Sequence, residues 1–207
     1  MAASYSTVDV LGLILGPAIV AAVVTAAVNV WTKRRDDSRT RVVAALLIAS
    51  HLEDYAYACA TYTFMSHEKD RAPEDKMSIP ALNPWPVEVS WGSLPPVPAS
   101  QAASIRMDVT IATGMAAATP YENELGVWQA RRLRSELGLQ AWRAARALRR
   151  EAGLPLIRPE TLRWNFTEYL WHEYGKAVHE LRAMGMWNPQ EQPFTFSELG
   201  YSAAGPS

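Results

Sequence analysis

The chain has 207 residues, of which 49% are hydrophobic and 20% charged, and its formal net charge is −1. That composition excludes a disordered chain, and the near-neutral balance argues against nucleic acid as an electrostatic partner. The one cysteine, Cys59, excludes a disulfide within these residues and fits a reducing compartment.

The first expected element is a single transmembrane helix from about Val8 to Trp31. The run VLGLILGPAIVAAVVTAAV, Val10 to Val28, carries no charge. Its length as a helix, about 28 Å, matches the roughly 30 Å of hydrocarbon in a bilayer. Trp31 suits the interface, and Lys33, Arg34, Arg35, Arg39 and Arg41 follow, whereas only Asp9 is charged before the run. The positive-inside rule then places the N-terminus outside and the rest in the cytoplasm, at the plasma (inner) membrane. A signal peptide would need a basic start, and residues 1–9 hold no Lys or Arg. Gly12 and Gly16 form a G-x-x-x-G pair, continued by Ala18, Ala22 and Ala26, so a homodimer through this helix is a candidate. Pro17 removes a backbone donor and should bend the helix.

Beyond residue 35 the expectation is a cytoplasmic domain over 36–185 and an irregular tail over 186–207. Residues 36–41 hold no Gly or Pro, so the helix can continue. Ala45, Ile48, Leu52, Tyr55, Cys59 and Tyr62 then recur at helical spacing, with an end near Ser66. Residues 71–98 carry seven prolines and exclude long helices. Trp85 and Trp91 flank Val87 and Val89 there, which suggests an extended clasp with its rings anchored, Trp91 on the helix that carries Leu52, Ala56 and Cys59. Residues 99–118 predict a helix with Ile105, Val109, Ala112 and Met115 on one face. Tyr121 to Ala152 predict a long helix with a stripe of Leu133, Leu137, Ala141, Ala144 and Leu148, stopped by Gly153 and Pro155. Phe166, Leu170, Tyr174, Ala177, Leu181 and Met184 mark the last helix, ending at Gly185. The fold class is all-α: one transmembrane helix, then a bundle of about four helices with a long Pro/Trp-rich segment.

Few residues suggest chemistry. His172-Glu173-Tyr174-Gly175-Lys176 lacks the second histidine of a zinc protease helix. Glu168, His172 and His179 share a rough face but lack a fourth ligand, so neither a metal nor a cofactor is expected. Arg143, Arg146 and Arg150 share a face of the long helix and could meet anionic headgroups or an acidic partner, or simply be solvated. Cys59 falls on an apolar stripe and reads as an inert thiol. Glu53 and Asp54 beside His51 point about 100° apart on a helix and do not converge.

Three stretches, LEDYAYACA at 52–60, NPWPVEVSWGSLPP at 83–96 and LGLQAWRAARALRREAGLP at 137–155, resemble a set of uncharacterised bacterial and prophage membrane-anchored proteins. The resemblance implies a bacterial source and an anchor-plus-helices plan, and assigns no catalytic residue. The function expected is a membrane-tethered, non-enzymatic interaction module, a prophage or cell-envelope accessory protein. Its candidate contacts are Trp85, Trp91, Arg143, Arg146 and Arg150, and its partners the bilayer, a second copy or another protein. The rival is a membrane-anchored enzyme with a site near the Pro/Trp segment, built from Glu53, His51 and an arginine.

Overall fold

The computed structural model describes residues 7–68, 70, 72–119, 124–158 and 163–186, with side chains from Val28 onward except that of Pro73. Among them are five α-helices and no strand: α1 Thr7–Met65, α2 Pro73–Met77, α3 Pro96–Ala118, α4 Glu124–Glu151 and α5 Phe166–Ala183. The chain divides into two units, 1–41 and 42–207.

In the first unit, α1 is helical from Thr7. Every side chain from Val28 to Arg41 is exposed. Thr32 donates its hydroxyl to the carbonyls of Val28 and Asn29, at 3.0 Å each, and the Arg35 guanidinium lies 5.6 Å from the Trp31 ring centre. Gly12, Gly16 and Pro17 lie among residues whose side chains are not described, as does most of the run from Val10 to Val28. Among the described residues one helix, α1, is long and apolar enough to cross a membrane, over Val28–Met65, and nearly half of the most apolar part of that stretch is buried. That stretch contains the core-facing part of α1, so the membrane assignment of Val10 to Val28 rests on the sequence.

The second unit has a core built by four helices. Ala44, Ala45, Ile48, Ala49, Leu52, Tyr55, Ala56, Cys59 and Ala60 of α1 are buried, an alanine-rich strip that lets neighbours approach closely. Against it lie Ala102, Ile105, Val109 and Ala112 of α3, Leu133, Leu137, Ala141, Trp142 and Leu148 of α4, and Phe166, Leu170, Tyr174 and Val178 of α5. Closest approach falls at Gly138 of α4, where a Cβ would stand 2.7 Å from Leu170 Cδ1 and 2.9 Å from Cys59 Cβ. Two predicted stripes need correction at their ends. Met115 is 39% exposed and Ala116 takes its inward place, and Met184 is 41% exposed just past the end of α5.

Two other boundaries differ from expectation for a common reason. α3 begins at Pro96, not near Ala99, because the first turn of a helix has no use for the amide hydrogens that proline lacks. The same rule starts α2 at Pro73. The segment expected to be extended thus holds a short helix, a turn at Val87–Glu88 and a 3-10 turn at Trp91–Ser93. At α5 the Asn165 side chain caps the helix, accepting from the Glu168 amide and donating to its carboxylate at 2.8 Å. Gly185, at φ +72°, follows the end of α5, and the Met186 amide donates to the Leu181 carbonyl at 2.9 Å.

Candidate functional site

The Pro/Trp segment is fastened through one carbonyl. The oxygen of Asn83 accepts from Nε2 of His51 on α1 and from Nη2 of Arg106 on α3, each at 3.1 Å. Above it the Trp85 ring lies 5.0 Å from His51, 5.4 Å from Trp91 and 5.5 Å from the Arg106 guanidinium. Both tryptophans are half-buried against the core, and Val87 is 96% exposed. Trp85 meets α1 through His51, and Trp91 packs edge-on against Trp85. Aromatic and cation–π contacts of this kind hold a segment in place, and the faces they use are taken.

The arginines of α4 are divided among separate tasks. Arg146 donates to the Ile157 carbonyl at 2.9 Å, Arg143 borders a small polar cleft with Asp108 and Gln140, and Arg150 is exposed. Arg149 turns inward. It holds Glu53 of α1 through two bonds, 2.6 Å from Nε and 2.8 Å from Nη2, and Glu53 keeps its guanidinium charged beyond the ordinary arginine range. Fully buried Arg134 donates to the carbonyls of Lys76 and Ser78, at 2.9 and 3.0 Å, and ties α2 to α4. Glu53 and His51 are therefore each committed to a structural partner.

On α5, Glu173 faces inward at 1% exposure. Its carboxylate meets His67 Nε2 at 3.0 Å and Lys176 Nζ at 2.8 Å. Burial pushes the carboxyl up, but Lys176 and His67 outweigh it and hold the group below the usual range. His172 points to solvent, 3.8 Å from Glu168. Among the described residues no three His, Cys, Asp or Glu side chains converge as a metal site. Burial pushes the Cys59 thiol up to about 12, against smaller opposing effects of Tyr55 and Arg134, so it is protonated at neutral pH.

Two open clefts of about 440 Å³ each flank Trp128 on α4, and both are also lined by Glu180 of α5. One runs along α5 past Trp171, His172, Lys176 and His179, and the other past His67, Lys76, Val127 and Arg131. The Arg131 guanidinium lies 4.8 Å from the Trp128 ring centre, and its buried Nε has no hydrogen-bond partner. Burial and the nearby Glu173 carboxylate push the Tyr169 hydroxyl up to about 12. A tryptophan ring beside a guanidinium in the wall of an open cleft offers a face to aromatic groups and a charge to anionic ones. The sequence carries a faint sign of this surface, since Trp128 and Arg131 stand three apart and so stack on one helix face. No family model, curated protein or solved structure matches this chain.

Proposed function

We propose that the protein is a membrane-tethered, non-enzymatic interaction module of bacterial or prophage origin, anchored by residues 8–31 with its helical unit in the cytoplasm. Its working surface is the pair of clefts around Trp128, and its ligand an anionic, aromatic segment. The observation that carries this reading is the Arg131 guanidinium 4.8 Å from the Trp128 ring centre, both in the wall of an open cleft. The anchor is supported by the uncharged run from Val10 to Val28 and the five cations between residues 33 and 41. Gly12 and Gly16 are the contact by which two anchors would pair.

Two measurements test it. A C-terminal phosphatase fusion is expected to stay inactive and to fractionate with membranes after an alkaline wash; active phosphatase, or a soluble protein, sinks the location. A labelled peptide with carboxylates and aromatic rings is expected to bind saturably to the full chain in detergent. Arg131→Gln should weaken that binding about tenfold or more, the worth of one charge-assisted hydrogen bond. Equal binding by native protein and variant removes the clefts from the proposal.

A further inference from the structure

α3 is uncharged on both of its faces. Its inner face, through Ala102, Ile105, Val109 and Ala112, is buried in the core. Its outer face carries Ser100, Ala103, Met107, Ile111, Gly114 and Ala118, all exposed. The helix has two charged residues, and neither stands on that face. Arg106 is bound to the Asn83 carbonyl, and Asp108 lines a cleft with Gln140 of α4. A helix apolar all round is ordinarily a buried one, yet Met107 and Ile111 are 63% and 52% exposed. Glycine inside a helix weakens it, and at Gly114 nothing beyond the helix's own backbone lies within 4 Å of where a Cβ would stand. Within one chain, no close approach requires it.

The outer face reads alike in both directions from Val109. A large side chain comes first, Met107 or Ile111, and small ones follow, Ala103 and Ser100 one way and Gly114 and Ala118 the other. A two-fold contact needs that palindrome, because one patch serves both partners. Laid antiparallel on a second α3, the face sets Met107 beside the partner's Ile111, Gly114 opposite the partner's Ala103 and Ala118 opposite the partner's Ser100. Small residues at both ends let the backbones close until the central pairs touch. The face offers on the order of 500 Å² per copy, so a pair would bury about 1,000 Å², the size at which specific interfaces begin. A lipid surface fits less well, since helices that lie on lipid border their apolar face with Lys and Arg, and α3 holds only Arg106, which is already engaged. We infer that α3 is a dimer contact, pairing antiparallel with α3 of a second copy through Met107 and Ile111. No residue of α3 lines the Trp128 clefts, so this contact stands apart from them.

The test uses the full chain in mild detergent, with Gly12→Leu and Gly16→Leu throughout so that the anchors do not pair through that contact. At about 50 μM chain, sedimentation should give the mass of a dimer, since a contact of this size is expected to hold at micromolar Kd. Met107→Lys should raise that Kd about a hundredfold by setting two like charges in an apolar contact. Ile111→Lys, on the other side of the same contact, should do the same. Both side chains are exposed in the single chain, so circular dichroism should show the helices intact. Register is read by cysteines. Ala103→Cys and Gly114→Cys in one chain should link into covalent dimers under mild oxidation. Either cysteine alone should not, because each then stands about 15 Å or more from its own copy, beyond disulfide reach, and Cys59 is buried. A monomer, or a dimer whose Kd both lysine variants leave unchanged, overturns the inference. A dimer whose paired cysteines stay unlinked overturns it too, because α3 then meets its copy in another register or not at all.

Discussion

Glu53 and Arg149 form a well-buried ion pair between α1 and α4, with side chains 12% and 10% exposed and 96 residues between them. Bringing two charges out of water is costly, and the double hydrogen bond offsets much of that cost. Glu53→Gln strands a guanidinium in the core and should destabilise the fold by about 3–5 kcal/mol in urea unfolding. The double variant Glu53→Leu, Arg149→Met should recover a good part of that loss, because its apolar partners leave no uncompensated charge. A double variant less stable than Glu53→Gln would show that Arg149 acts through its bond to the Pro155 carbonyl, at 3.3 Å, more than through Glu53. None of this was legible locally. Glu53 stands just off the apolar stripe, and Arg149 is one of seven arginines crowded on α4. Spacing reveals which side chains share a face, not which distant face they meet. The stripe of Ala45, Ile48, Leu52, Tyr55 and Cys59 was legible, since burial against a core repeats with the helical period.

Among the elements, α4 touches the most neighbours of different kinds, and its fit is set by a glycine. A methyl at Gly138 would meet Leu170, which can turn aside, and Cys59 Cβ, which cannot. Gly138→Ala gains up to about 1 kcal/mol in helix propensity but overpacks the crossing at a cost of about 1–3 kcal/mol. We expect a net fall in Tm of about 2–6 °C. Gly175→Ala on α5, with no atom within 4 Å of the added methyl, is expected to raise Tm instead. A Gly138→Ala protein that melts with or above the parent would show that α5 yields to admit the methyl. Sequence reading placed all four long helices and erred mainly where proline was taken only as a breaker. Pro96 and Pro98 occupy the first turn of α3, where they fit. The Trp128 surface escaped notice because α4 and α5 build it jointly, and no single helix period encodes it.

At the scale of the molecule, Glu173 links the loop after α1 to α5 and gives stability a pH dependence. Its carboxyl is depressed in the fold from the ordinary 4.5. Stability from this group is therefore present above about pH 4.5 and lost as pH falls through the lower folded value. Native protein should lose Tm more steeply below pH 4.5 than Glu173→Gln, which should start lower at neutral pH. Parallel acid limbs for the two proteins would place the acid sensitivity in other carboxylates.

The same long-range pairs dictate a timetable for synthesis. The inner face of α1 finds part of its cover on α3 and the rest on α4 and α5, with 96 residues between Glu53 and Arg149, and the loop just after it pairs across 106 residues, from His67 to Glu173. Ribosomes add about 5–20 residues per second, so that face waits on the order of 5–20 s for its cover to be made. Its alanine-rich composition limits what is exposed meanwhile, since each small side chain offers little apolar area to a wrong neighbour. The tightness of the finished crossing and the safety of the unfinished chain follow from one choice of residue.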